Sequence, residues 1–112
     1  MKKEKNLSYI NYYYGKLEFE GEYLNGERNG KGKEYYFNGK LRFEGEYLNG
    51  KRNGKGKEYY EYNCTLKFDG EYLNGKRNGK GKEYNYNGKL KFDGEYLNGE
   101  KTGKEKRIWW RW

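Results

Sequence analysis

The stretch from Phe43 to Gly56 reads FEGEYLNGKRNGKG, and nearly the same letters return from Phe19, Phe68 and Phe92. Successive copies are 24, 25 and 24 residues apart. A fixed period of this size marks a repeat array, in which each unit buries its apolar face by stacking on its neighbours. In the unit from Leu17, the residues Leu17, Phe19, Gly21 and Tyr23 alternate with Glu18, Glu20 and Glu22, the period-two pattern of a half-buried strand. LNGERNG follows, rich in turn formers, and reads as a loop over residues 24–30. A second run, KGKEYYF, places Tyr35 and Phe37 two apart. Asn38–Gly39–Lys40 then closes a three-residue hairpin loop whose Gly accepts the left-handed conformation. Each unit is thus one β-hairpin, and short turns join successive hairpins.

With turns at 24–30 and 38–40, the implied register runs one ladder of rings across the sheet: Phe19, Tyr35, Phe43, Tyr60, Phe68, Tyr84 and Phe92. A second row takes Leu17, Phe37, Leu41, Tyr62, Leu66, Tyr86 and Leu90. Gly21, Gly45, Gly70 and Gly94 share the face of the first row and leave room for its rings to lie flat. The unit from Phe43 is one residue longer than its siblings, and the excess is expected within Lys57–Tyr59 as a β-bulge. Cys64 stands where the siblings have Gly39 and Gly88. Cysteine suits a left-handed position poorly, so that turn is expected to change type. The array divides into a half unit at 8–18 and repeats at 19–42, 43–67, 68–91 and 92–112. The last repeat ends in a C-terminal cap carrying Trp110 and Trp112, which also serve as docking candidates, and the whole forms one domain over 1–112.

Composition agrees with an ordered but lean protein. Of 112 residues, 38% are charged and 32% apolar, yet 21% are aromatic and fall in register with the period. Fifteen tyrosines supply wide rings that pack while one polar edge stays wet. Cys64 is the sole cysteine, which excludes an internal disulfide and points to a reducing, cytoplasmic setting, with attachment to a membrane surface left open. No stretch is apolar enough to span a membrane as a helix, and the opening residues lack the apolar segment of a signal peptide.

The blocks resemble the MORN repeat (Membrane Occupation and Recognition Nexus), which in outline reads aromatic-x-Gly-x-aromatic-x-Asn-Gly, three residues, then Gly-x-Gly. Phe43, Gly45, Tyr47, Asn49, Gly50, Gly54 and Gly56 fill it, and the units from Phe19 and Phe68 do so at every position. The unit from Phe92 has Glu105 at the final Gly. The resemblance spans roughly residues 15 to 106. It implies an all-β fold, an elongated, twisted, single-layer antiparallel β-meander of stacked hairpins. It also implies a non-enzymatic scaffold or adaptor that contacts protein partners or itself, with binding of anionic phospholipid as the alternative.

Catalytic chemistry finds little purchase. GKRNGKGK lacks P-loop spacing and precedes a strand instead of a helix. Glu18, Glu20 and Glu22 have no second carboxylate across a cleft. There is no His to act as base or to build a typical zinc site. No catalytic, cofactor or metal residue is assigned, and no small-molecule substrate is expected. The net charge of +8 draws attention to Lys51, Arg52, Lys55 and Lys57, and to Lys76, Arg77, Lys80 and Lys82. Read as stacked loops about 10 Å apart, they form a positive ridge for an anionic membrane or an acidic partner. Nucleic acid is disfavoured, because carboxylates punctuate every unit. The aromatic face, with Phe19, Tyr23, Tyr35, Phe43, Tyr47, Tyr60, Phe68, Tyr72, Tyr84, Phe92 and Tyr96, is the candidate surface for a peptide or a second copy. A single sheet has no second layer to cover it.

Overall fold

The computed structural model describes residues 7–102. Its strands are β1 (Leu7–Tyr13), β2 (Lys16–Leu24), β3 (Glu27–Tyr35), β4 (Leu41–Leu48), β5 (Lys51–Tyr59), β6 (Leu66–Leu73), β7 (Lys76–Tyr84), β8 (Leu90–Leu97) and β9 (Glu100–Lys101). They form one antiparallel sheet in sequence order. The molecule measures 56 × 36 × 15 Å, thin in one direction as a single layer must be. β1 pairs with β2 as the second half of a hairpin, as the opening half unit predicts.

The turns are tighter than the sequence suggests. The segment expected as a seven-residue loop is a two-residue turn at Asn25–Gly26, with φ of 52° and 80°, and Leu24 faces Glu27 directly. Two successive positive φ angles are what a type I′ hairpin demands, and Asn-Gly supplies them. The same turn recurs at Asn49–Gly50, Asn74–Gly75 and Asn98–Gly99. The rest of the expected loop belongs to the strand. Between Gly21↔Gly32 and Tyr23↔Arg28 the register slips, so that Glu22 spans Asn29, Gly30 and Lys31. Gly30 takes a φ of 101° there.

At the other end of each hairpin the loop is one residue earlier than expected. Tyr36 N–H donates to the Lys40 carbonyl and Gly39 N–H to the Tyr36 carbonyl, both at 2.8 Å. The loop is therefore Phe37–Gly39, with Gly39 left-handed at its end (φ 89°). The ladder then slips once more, passing over Arg42 between Glu34↔Phe43 and Tyr35↔Leu41, and a one-residue slip exchanges the faces of a strand. Glu34, not Tyr35, lies opposite Phe19 and Phe43, while Tyr35 faces Leu41. Glu58 and Glu83 repeat this against Phe43, Phe68 and Phe92. The expected ring ladder is corrected accordingly: Tyr35, Tyr60 and Tyr84 leave it. The second row changes too, because Phe37, Tyr62 and Tyr86 lie in exposed loops.

The extra residue of the second unit is also not where the sequence placed it. β5 has nine residues, like β3 and β7, so the excess enters the loop Tyr60–Thr65. Cys64 N–H donates to the Tyr60 carbonyl at 3.0 Å, one residue further than in the sibling loops. The turn type changes as expected, yet Cys64 still takes the left-handed conformation, at φ 63°. A side chain there costs roughly 1–2 kcal/mol. Cys64→Gly is expected to raise stability by up to about 1 kcal/mol after the entropy cost of Gly, read as a higher urea midpoint with unchanged slope.

Candidate functional site

Two faces and two loop edges make up the accessible molecule, and the repeat assigns each a different chemistry. On the aromatic face the register places Phe19, Phe43, Phe68 and Phe92 in line; the first three each lie beside a tyrosine of their own and of the next unit, and Phe92 lies beside its own Tyr96. The rings form one zigzag of edge-to-face contacts. Tyr9, Tyr23, Phe19, Tyr47, Phe43, Tyr72, Phe68, Tyr96 and Phe92 follow one another at centroid distances of 5.2–5.7 Å and interplanar angles of 80–90°. Each such pair contributes about 0.5–1.5 kcal/mol beyond the area it buries. Phe19, Phe43 and Phe68 each lie over a pair of facing glycines, such as Gly45 and Gly56 under Phe43, the packing role expected of the first glycine in each pair.

This face is closed, contrary to the expectation of an uncovered apolar surface. Phe19, Phe43 and Phe68 are 0% exposed, and Tyr47, Tyr72 and Tyr96 are 4% exposed. The cover comes from the chain itself. The guanidinium groups of Arg28, Arg52 and Arg77 lie 4.0, 4.0 and 4.1 Å from the centroids of Phe19, Phe43 and Phe68. Cation–π attraction holds them there. Arg52 reaches Glu34 at 2.9 and 3.0 Å, and Arg77 reaches Glu58 at two distances of 3.1 Å, the paired geometry in which arginine binds carboxylate best. The Tyr47, Tyr72 and Tyr96 hydroxyls donate to Glu34, Glu58 and Glu83. Every carboxylate therefore ties its own unit to the next.

Burial raises the Glu34 and Glu58 carboxyls. The Arg52 and Arg77 guanidiniums and the tyrosine hydroxyls outweigh it and hold both below the usual glutamate range. Burial and the same carboxylates push the Tyr47, Tyr72 and Tyr96 phenols far up. These glutamates are the residues that sequence reasoning missed. Their signal was present, since Glu34, Glu58 and Glu83 recur before a tyrosine in every GKGKEY run.

The opposite face carries charge in alternation. Glu20 faces Lys33, Lys33 faces Glu44, Glu44 faces Lys57, and Lys57 faces Asp69. Lys82 continues the row between Asp69 and Asp93. A second row pairs Lys31 with Glu46, Lys55 with Glu71, and Lys80 with Glu95. Opposite charges placed across strands favour this register by roughly 0.2–1 kcal/mol per pair. An open groove of about 770 Å³ runs over these rows from Ser8 and Ile10 to Asp69, with Gly21, Gly32, Gly45 and Gly56 in its floor. Its lining counts four lysines and four acidic residues.

The basic clusters therefore do not form a loop ridge. Both lie within strands, β5 and β7, and strand alternation divides each between the two faces. Arg52 and Arg77 cover the rings; Lys55, Lys57, Lys80 and Lys82 stand in the charge rows. Lys51 and Lys76 sit beside the Asn-Gly turns, opposite Leu48 and Leu73. Of the ring candidates, Tyr35 donates to Glu20 on the groove face, with its phenol raised to about 12 by burial and by that carboxylate. Tyr84 takes the matching place opposite Leu90. Tyr60 lies in its loop and donates to the Tyr84 carbonyl at 2.6 Å. Trp110 and Trp112 lie outside the described residues.

Both loop edges are stitched from unit to unit. On one, the N–H groups of Gly50, Gly75 and Gly99 donate to the carbonyls of Arg28, Arg52 and Arg77 at 2.8–2.9 Å. Asn29, Asn53 and Asn78 accept from the N–H groups of Asn49, Asn74 and Asn98. On the other, exposed rings of Tyr14, Phe37, Tyr62 and Tyr86 project one per loop. Each contact joins one unit to the next, as a repeat stack requires.

No curated protein matches the sequence. The family model described as MORN repeat matches residues 19–40, 43–61 and 68–89, the units from Phe19, Phe43 and Phe68, with the unit from Phe92 outside the matched stretches. These matches cover more than half of the chain, and they coincide with the hairpins that the nine-stranded sheet stacks side by side. The chain belongs to the MORN repeat family.

Proposed function

We propose that the chain is a non-enzymatic interaction scaffold whose groove face receives a segment of a protein partner. The observation that carries this reading is the groove of about 770 Å³ with equal numbers of lysines and carboxylates along it. A polyanion is attracted by an excess of positive charge, which this lining does not offer. A polypeptide segment with side chains of both signs complements it, and complementary rows fix the register of such a segment. The aromatic face is already occupied by its own arginines, so the groove takes over the role that composition suggests for the rings. The reading extends to one repeat domain and to a cytoplasmic setting, where the exposed Cys64 thiol stays reduced.

Charge reversal tests it. Lys33→Glu with Lys57→Glu reverses both lysines of the row that runs from Glu20 to Asp69 without touching the ring zigzag. Loss of a partner retained by the wild-type chain from its native cell, with folding intact, is the expected outcome. Undiminished retention would exclude the groove as the docking surface.

A second reading, peripheral contact with an anionic membrane, is favoured by one observation at a different place. Tyr14 and Tyr62 are each 83% exposed, with Phe37 and Tyr86 on the same loop edge. Lys16, Lys40 and Lys89 stand in or beside those loops. Amphipathic rings with adjacent lysines suit the headgroup layer. Flotation with anionic vesicles, weakened by salt and by Phe37→Ser with Tyr62→Ser, is the result this reading requires.

A further inference from the structure

The zigzag of rings ends at Tyr9, whose ring meets Tyr23 at 5.3 Å and 84° and remains 50% exposed. β1, which carries it, is the edge strand of the sheet, with β2 as its one strand partner among the described residues. Its sequence, LSYINYY, has no charged residue, whereas every other strand carries at least two. Edge strands are ordinarily guarded against pairing by lysine, proline, a bulge or shortness. From Leu7 to Asn11 none of these is present. That stretch pairs with β2 in unbroken register, and the irregularity begins only between Asn11 and Tyr12. Leu7 and Ile10 add exposed apolar side chains beside Tyr9.

We propose that β1 pairs with β1 of a second copy of this chain, antiparallel about a two-fold axis at Tyr9. The strand is its own complement in this register. Leu7 of one copy faces Asn11 of the other, Ser8 faces Ile10, and the two Tyr9 residues face each other. The pairing brings no charge against a like charge at the contact, although each copy carries +8. It joins the two ring zigzags at the Tyr9 pair and satisfies the outer backbone groups of both edges. Two-fold pairing uses the same edge on both copies, so association closes at two instead of growing into a fibre. A foreign strand would have to match this neutral five-residue register; a second copy matches it by construction. The contact meets the groove only at its end, where Ser8 and Ile10 line it, and its outcome is read as self-association, separately from partner retention.

The test is molar mass across a dilution series of the full chain. A monomer–dimer equilibrium is expected. Ile10→Lys is expected to weaken it about tenfold or more by placing a charge in the paired stretch. Adding Ser8→Glu to Ile10→Lys is expected to restore it, because residue 8 of one copy faces residue 10 of the other. Hydrogen exchange of the unaltered chain supplies a readout that needs no variant: amide protection within Leu7–Asn11 falls on dilution, while that of β4 to β6 does not. A strict monomer, a dimer indifferent to Ile10→Lys, failure of Ser8→Glu to restore it, or exchange at β1 independent of concentration would each overturn the proposal.

Discussion

Gly45→Ala is expected to cost about 3 kcal/mol or more, at the upper end of what overpacking does in a core. A Cβ at Gly45 would stand 2.6 Å from the Lys55 carbonyl oxygen, 2.7 Å from the Gly56 Cα and 2.8 Å from the Phe43 ring. The first two are backbone atoms of the neighbouring strand and can move only if β4 and β5 separate. The third is the ring that Arg52 covers from its other side. A domain of this kind has roughly 5–15 kcal/mol in all, so one methyl group removes a large share of it. Gly39→Ala is the control. Nothing lies within 4 Å of a Cβ there, and the cost is the left-handed backbone alone, about 1–2 kcal/mol. Denaturant unfolding of both variants distinguishes the two causes. Equal losses would remove the steric account of the facing glycines.

Steep unfolding in alkali is the second large effect. Burial, joined by the Glu34, Glu58 and Glu83 carboxylates, raises the Tyr47, Tyr72 and Tyr96 phenols far above their ordinary value. Burial and Glu20 raise Tyr35 to about 12, and burial and Glu44 raise Tyr59. A phenol of raised pKa keeps its proton in the folded chain while the unfolded chain gives its proton up near pH 10. The stabilisation is fully present below that pH and is lost as pH rises toward the folded values. Because several phenols act together along one stack, stability is expected to fall more steeply above about pH 10 than any single tyrosine would produce. The check is thermal unfolding followed across this range, with ionisation of Tyr47, Tyr72 and Tyr96 read residue by residue from the NMR signals of ring-labelled tyrosine. Tyrosinate at these three buried rings well before the sheet melts would contradict it.

Much of the fold was legible because the period prints the same information four times. The Phe-x-Gly-x-Tyr alternation gave the strand, its inward face and the glycine floor, and the 24-residue spacing gave the stack. The register was harder. Asn25–Gly26 carried a strong two-residue hairpin signal, yet the second Asn-Gly pair, Asn29–Gly30, has the same lettering and serves as a bulge inside β3. Local propensity does not separate those two uses; the pairing of Gly32 with Gly21 does. Beyond Phe37–Gly39 a slip of the ladder between Glu34 and Tyr35 puts Glu34, not Tyr35, on the ring face, and with it went the expected ladder.

The surfaces followed from that register. Lys51 to Lys57 read as one basic cluster along the chain, but a strand sends neighbours to opposite faces, so Arg52 became a cover over the rings and Lys55 and Lys57 part of the charge rows. Sequence alone therefore determined that this is an all-β array of stacked hairpins, because periodicity is a local property repeated along one dimension. Tertiary structure alone decided which charges are spent on holding rings and which face solvent. That choice depends on which residue lies across from which, and backbone pairing between strands settles it.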